Sequence, residues 1–433
     1  MKTYIFVGLA ALLLACGGGS PAPGPVPMQP VAVAGLVQGE EEPSLLAPVL
    51  DEAGPGVPQA ADFALGGYAP PGEGSSLPPA LMPAARSGTR LYVSPKGSDN
   101  NPGSAEKPMR SLARAARAVS AGMTVLVAPG TYGGGFRSNA SGKEGERIAF
   151  VSTRKWGARI VPPKNSANKT AWDNRGNHVD IVGFEVDGSQ YAGGTRWSNG
   201  IYNGGSYVSV RNNHVHHIAK GIGCTRAGGA AIGLDSYYGG VQSDAISNLV
   251  HDIGPAGCRF VQGIYVSTSG MVKNNVIYRV AEGGIHLWHD AHNVIITNNT
   301  VTASNTGIIV GSGNHYRSSG LNDHTAVYSN IVYDNTMGIS EQGRTGSNNT
   351  YRNNLVYQNS SYNWQLKNGI RHEGTVSLPP DFLGSARSGA ANLKLSGNSP
   401  AIGRASPAHA EETDFEGRPR NRAAGYDIGA YQH

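Results

Sequence analysis

The sequence is short of charge and of cysteine. Only 15% of its 433 residues are Asp, Glu, Lys or Arg, and three are Cys, against about 25% charged residues in an average soluble protein. So few cysteines exclude a disulfide-dense miniature scaffold. The shortage of charge and of heptad patterning excludes a coiled coil. No apolar stretch approaches the roughly 18 residues needed to cross a bilayer, which excludes a multi-span helical membrane protein. What abounds instead is glycine, 61 residues, together with many Asn, Ser and Thr. That composition points to a turn-rich β protein, and the length fits one large domain or two to three average ones.

The N-terminus reads as an address. Lys2 opens a short basic region, and residues 5–14 form an apolar run too short to span a membrane. The run ends in LLAC at 13–16, followed by GGGS. This resembles a bacterial lipobox and implies that Cys16 is lipidated and becomes the new N-terminus; two or three acyl chains anchor a protein stably. Gly17, in place of Asp, implies the outer membrane of a Gram-negative cell, facing the periplasm or the surface. Residues 17–88 are rich in Pro, Ala and Gly and read as a disordered acidic tether, leaving 89–433 as the folded domain. Residues 1–86 carry two of the 35 basic and seven of the 30 acidic residues, so the remainder holds 33 against 23. A domain near +10 suits an acidic polymer as partner.

The domain is a repeat protein. One pattern recurs at 211–217 (RNNHVHH), 246–252 (ISNLVHD), 273–279 (KNNVIYR), 297–303 (TNNTVTA), 328–334 (YSNIVYD) and 352–358 (RNNLVYQ). The shared Asn stands at 213, 248, 275, 299, 330 and 354, at intervals of 35, 27, 24, 31 and 24 residues. Asn tolerates the left-handed backbone of a tight corner, and its amide can bond the same Asn one coil on. Apolar segments precede and follow each corner. The pattern predicts an all-β fold, a right-handed parallel β-helix with an asparagine ladder.

A further strand recurs as Gly200-Ile201, Ala231-Ile232, Gly263-Ile264, Gly284-Ile285, Gly307-Ile308 and Gly338-Ile339. With Ile inward, the next residue points outward. The outward positions are Tyr202, then Gly233 and Asp235, Tyr265 and Ser267, His286 and Trp288, Ile309 and Gly311, Ser340 and Gln342. Solenoids need capped ends, and residues 112–119 (LARAARAV) read as an amphipathic capping helix.

The segments YVSPKGSD at 92–99, NPG at 101–103, KP at 107–108 and PGTY at 129–132 resemble the opening of secreted pectate-lyase-like β-helix proteins. The tail, with SPAI at 399–402, Asp414, GRPR at 417–420 and DIGAY at 427–431, is similar to the closing segment of the same superfamily. The resemblance covers about 90–433. It implies a carbohydrate-active surface along the outward row of the Gly-Ile strand.

A uronate lyase must take the C5 proton, neutralise the carboxylate and protonate the leaving oxygen. His or Tyr suits proton transfer, and Arg or Lys suits the carboxylate. His286 and Tyr265, about 5 Å apart on neighbouring coils, are the expected catalytic pair, with Asp235 and His289 beside them. Tyr202, Trp288, Tyr237, Asp290, Lys273, Arg226 and Arg259 are expected to bind substrate. Arg226, Tyr237, Tyr238 and Arg259 lie on the longest insertions and should wall the cleft. The family 9 pectate lyases, the nearest relatives in pattern, imply Ca²⁺ held by Asp ligands and a Lys base. This chain has no Asp-Asp pair, and only Asp235, Asp244, Asp252 and Asp290 are available for Ca²⁺, which wants about six to eight oxygens. No metal site is assigned. Two other classes stay open. One is a glycoside hydrolase using Asp235 and Asp290, expected about 10 Å apart. The other is a non-catalytic module that holds exopolysaccharide. An oxidising envelope favours a Cys224–Cys258 disulfide. The partner expected is an acidic polysaccharide, with no nucleic acid, and the protein is expected to be a monomer.

Overall fold

The computed structural model describes residues 89–224 and 228–433. The expected signal peptide, Cys16, the expected tether and Arg226 therefore lie outside the described residues. Each turn of chain contributes one strand to each of three sheets, of eleven, nine and nine strands. One full coil runs through Asp244–Ile246 in the first sheet, Leu249–Ile253 in the second and Val261–Val266 in the third, then re-enters the first at Gly270–Lys273. Neighbouring coils pair in parallel throughout these sheets, as at Val210↔Ala245, Val215↔Val250 and Ile232↔Ile264.

The asparagine ladder runs through the corner between the first and second sheets. Asn213, Asn248, Asn275, Asn299 and Asn330 each send their backbone N–H and side-chain amide to the Oδ1 of the next ladder Asn, at 2.9–3.2 Å. The left-handed backbone falls one residue earlier than expected, on Asn212, Ser247, Asn274, Asn298, Ser329 and Asn353, with φ of 52–57°. Two jobs assigned to one residue are thus divided between two. The first makes the bend, and the second satisfies the backbone groups that the bend exposes.

Inside, Ile201, Ile232, Ile264, Ile285, Ile308 and Ile339 stack in register and are wholly buried. The stack ends on Trp172 and Trp364. β-branched side chains suit this position because their χ1 is already restricted in a strand. The helix Leu112–Ala118 lies near the N-terminal end, burying Leu112, Ala115 and Ala116. Its N-cap Ser111 accepts from the Arg114 N–H at 3.1 Å, and Asp99 accepts from the Ser111 N–H and hydroxyl at 2.8 and 2.7 Å. The opening segment thereby becomes part of the cap. Among the described residues, no helix is long and apolar enough to cross a membrane.

The C-terminal tail folds back along the coils. Asn274 Nδ2 donates to the Thr413 carbonyl at 2.7 Å, and the Gly429 N–H donates to the Ser329 carbonyl at 2.8 Å. Phe415 and Ala430 pack with Val276 and Tyr278 in a second apolar cluster. This tail corrects one expectation. Lys273 lies buried beneath it, 3.3 Å from Glu411, and is a tail-holding residue where a substrate-binding one was expected.

Candidate active site

The strands Asn199–Asn203, Gly229–Leu234, Val261–Val266, Gly283–Leu287, Thr306–Ser312 and Met337–Gly343 form the centre of the third sheet. Their outward row is in register as Tyr202, Gly233, Tyr265, His286, Ile309 and Ser340. The row extends towards the N-terminal end through Asp173 and Arg137. The Tyr265 and His286 rings meet edge to face at 5.6 Å, matching the distance expected from coil spacing.

The row is roofed rather than open. Tyr202, Tyr265, His286 and Asp235 are at most 3% exposed. Two loops make the roof. The segment after Leu234 carries Tyr237 and Tyr238, and the segment after Ser312 carries Tyr316, Arg317 and Ser318. Asp290 fastens the second loop, accepting from the backbone N–H groups of Tyr316, Arg317 and Ser318 at 3.0–3.2 Å. It also accepts from the hydroxyls of Ser236 and Ser318 at 2.7 and 3.1 Å. His289 adds a clamp, with Nδ1 2.7 Å from the Asn314 carbonyl and Nε2 2.6 Å from the Tyr316 hydroxyl. Arg317 reaches across to the Tyr237 carbonyl at 2.7 Å, and the Tyr237 and Tyr316 rings meet at 5.2 Å.

Beneath the roof lies a hydrogen-bonded group. Tyr202 OH donates to Asp235 Oδ2 at 2.8 Å, and the Ser267 hydroxyl donates to Oδ1. Arg175 sits over the Tyr238 ring at 3.3 Å and donates to Asp173 at 2.5 and 3.1 Å. Arg137 donates to the same carboxylate at 2.8 Å and keeps 39% of its side chain exposed. Two guanidiniums on one carboxylate leave net positive charge at this end of the row.

Residues 95–138 match the family described as "Protein of unknown function (DUF1565)". "Uncharacterized protein YwoF" of Bacillus subtilis (strain 168) is 31% identical over 140 residues, and the match spans 30% of this chain and 30% of that protein. "Pectate lyase L" of Dickeya chrysanthemi is 24% identical over 350 residues, covering 67% of this chain and 77% of the relative. The solved structure of pectate lyase Pel9A superposes with a TM-score of 0.54 at 17% identity, over 80% of this chain and 97% of that one. The chain folds as a parallel β-helix, as pectate lyase Pel9A does.

Several residues of this β-helix differ in role from the sequence expectation. Asp290, expected to bind substrate or serve as a hydrolase carboxyl, spends both oxygens on the roof loop. Those donors outweigh burial and hold its pKa below the usual range, so it is a poor general acid. Asp235 and Asp290 do lie close, bridged through Ser267 and Ser236. His289 is likewise a loop clamp. Trp288, expected to bind substrate, lies on the glycines of the following coils: a Cβ on Gly311 or Gly343 would come within 2.8 or 2.6 Å of its ring. Tyr237 remains 38% exposed and available. Arg259, exposed beside Phe260, precedes its third-sheet strand, whereas Tyr237 follows one, so they flank opposite ends of the strands and not a single wall. Cys224 and Cys258 are bonded, with Cα atoms 5.3 Å apart, tying together the two loops that lead into the third sheet. The four carboxylates considered for Ca²⁺ do not converge. Asp244 lies in the first sheet, and Asp252 lies in the second. Arg175, which precedes the recognised repeats, and the roof loop at 313–321 were missed from sequence; the loop's only signal was the 31-residue interval between Asn299 and Asn330.

Burial sets the protonation states. It pushes Asp235 up and Tyr202 well up, so their shared hydrogen bond is retained. It pushes His286 down to about 3, with His289 adding to the effect, and it pushes His289 down to about 4. Both imidazoles are neutral in the folded state at pH values where an unfolded His, near 6.5, takes up a proton. Their contribution to stability is therefore complete above about pH 6.5 and drains away as the pH falls towards 4 and 3. The urea midpoint should fall between pH 7 and 4, and His286→Leu should make that fall shallower. An unchanged slope would contradict the neutral, buried state of His286.

Proposed function

We propose that this β-helix is a polysaccharide lyase, binding an acidic, uronate-containing glycan along the third sheet and cleaving it by β-elimination. The observation that carries this reading is His286. Its imidazole lies in the outward row, is buried and neutral, and neither ring nitrogen meets a protein hydrogen-bond partner. An unpaired buried polar group costs about 1–3 kcal/mol, and proteins keep such groups chiefly where a ligand uses them. The pectate lyase relatives in sequence and in fold support the same chemical class.

In the proposed reaction, the roof loops open and the uronate carboxylate pairs with Arg175 and Arg137. Their charge stabilises the negative charge that builds on the carboxylate as C5 is deprotonated. A neutral His286 nitrogen takes the C5 proton. The C5–H electron pair forms the C4–C5 double bond, the C4–O bond breaks, and the leaving oxygen takes a proton from Tyr265. The products are a fragment whose new non-reducing end is an unsaturated uronate and a fragment with a new reducing end, with no water consumed. Tyr237 and Tyr238, both partly exposed at the roof edge, supply apolar faces for sugar rings. The proposal includes tethering through a lipid on Cys16 to the outer membrane of a Gram-negative envelope, with the domain acting as a monomer.

The test is to incubate the protein with pectate, alginate and bacterial exopolysaccharides and to follow the ultraviolet absorbance of unsaturated uronate. A rise with any of them supports the reading. New reducing ends without that absorbance would make it a hydrolase, and binding without cleavage would make it a carbohydrate-holding module. Labelled palmitate should be incorporated into the wild type and lost in Cys16→Ser; equal labelling of both would sink the anchor.

A further inference from the structure

We propose that the outer face of the second sheet carries a binding site for one divalent transition-metal ion, Zn²⁺ by its ligand chemistry, formed by His214, His216 and His251. The site is separate from the third-sheet row and does not depend on the lyase reading. His214 and His216 stand two residues apart in the strand His214–His216, so both point outward, and His251 pairs in register with His216 one coil on. One ring nitrogen from each of the three lies within 4.8 Å of the others. His214 Nε2 and His251 Nε2 are 2.8 Å apart.

The groups around these imidazoles are those that orient metal ligands. A ligating His almost always donates its other N–H to a carboxylate or carbonyl. His251 Nδ1 is 2.7 Å from Asp252 Oδ2, so its proton is held there and Nε2 keeps its lone pair facing His214. His216 Nε2 is 3.1 Å from Glu185 Oε1, and its Nδ1 is 2.7 Å from His217 Nδ1, a contact that a bound ion would replace. Asp252 is itself fixed by Arg279 at 2.7 and 3.0 Å, and Arg279 is tied to the Ala386 and Gly389 carbonyls of the tail. The rings are braced as well. Tyr278 stacks on His251 at 4.8 Å, and Trp156 packs on His214 at 4.9 Å.

Three imidazole nitrogens select a borderline cation such as Zn²⁺ over Ca²⁺ or Mg²⁺, which prefer oxygen. Zinc binds histidine nitrogen at about 2.0–2.1 Å, which places tetrahedral ligand atoms about 3.4 Å apart. His214 and His251 reach that separation by moving about half an ångström. The overlapping group of Asp187, His216 and His217 is the poorer alternative. Its carboxylate is already occupied by Arg159 and by the Ser189 N–H at 2.7 Å. A bound ion would cross-link two neighbouring coils, because His251 lies 37 residues after His214 and pairs in register with His216.

The experiment uses the full chain without a histidine tag, stripped with chelator, and titrated with Zn²⁺ by calorimetry at neutral pH. One equivalent should bind and raise the melting temperature, and Co²⁺ in its place should give the visible absorption of a tetrahedral nitrogen site. Asp252→Asn should weaken Zn²⁺ binding about 10–100-fold, and His214→Ala or His251→Ala should weaken it further. His324→Ala, on an exposed side chain, should leave it unchanged. No binding by the wild type, or unchanged stoichiometric binding in the His214→Ala/His251→Ala double variant, overturns the proposal. Far-ultraviolet dichroism shows that each variant is folded, and His251→Gln replaces any alanine variant that is not.

Discussion

Replacing His286 by Leu is expected to remove elimination activity while leaving the β-helix as stable as before, or more so. A general base contributes about 10²–10⁴ in rate, so kcat/KM on the substrate found by the absorbance screen should fall at least about 100-fold. Stability should move the other way. Leucine fills a similar volume and removes two buried nitrogens that no protein group satisfies, and such an apolar replacement is nearly neutral or stabilising. The pairing of lost activity with kept stability distinguishes a functional imidazole from a packing one. Urea unfolding and initial rates on the same preparation check both halves. A loss of more than about 2 kcal/mol with the rate retained would make His286 a structural residue. Tyr265→Phe should behave similarly in rate if Tyr265 protonates the leaving oxygen.

Asn275→Ala is expected to be among the most destabilising substitutions in the chain. Asn275 lies mid-ladder and is wholly buried. Its Oδ1 accepts from the backbone and side-chain amides of Asn248 at 2.9 and 3.0 Å, and its Nδ2 donates to the Ala245 carbonyl and to Asn299, both at 2.9 Å. Alanine leaves the buried Asn248 N–H without its partner and removes the side-chain bonds to Asn248 Nδ2, the Ala245 carbonyl and Asn299. At about 1–3 kcal/mol for each orphaned group, the loss should be roughly 3–5 kcal/mol, read as a lower urea midpoint. Asn348→Ala, on an exposed residue that bonds only Asp323, should cost under about 1 kcal/mol. Equal effects from the two would mean that the ladder contributes no more than surface hydrogen bonds.

The ladder was legible because it is a pattern of residue type at near-constant interval, and a stacked corner demands the same chemistry in every coil. Shorter ladders were harder to find. Asn174, Asn203 and Ser243 link coils at another corner, and Ser304, Asn335 and Asn359 at a third. Each has too few members, or mixed chemistry, to recur visibly. The resemblance at 92–132 and in the tail implied the β-helix fold, and the comparisons agree on that fold.

The site divides in the same way. Period-two alternation placed Tyr202, Tyr265 and His286 in one outward row, because side-chain direction in a strand follows from local geometry. Whether an outward residue is wet depends on loops, whose paths no periodicity describes. The roof held by Asp290 and His289 turned an expected open face into a covered one and changed those two residues from candidate chemistry to loop anchors. Arg175 entered the site through the coil before the recognised repeats, and Lys273 left it because the tail returns over the first sheet. Sequence by itself determined the coil, its corners, its inward stack and the order of its outward row, all set by neighbours within one turn of chain. Only the tertiary structure decided what is buried, which carboxylates are already satisfied and where histidines from different coils meet, because those depend on contacts between segments tens of residues apart.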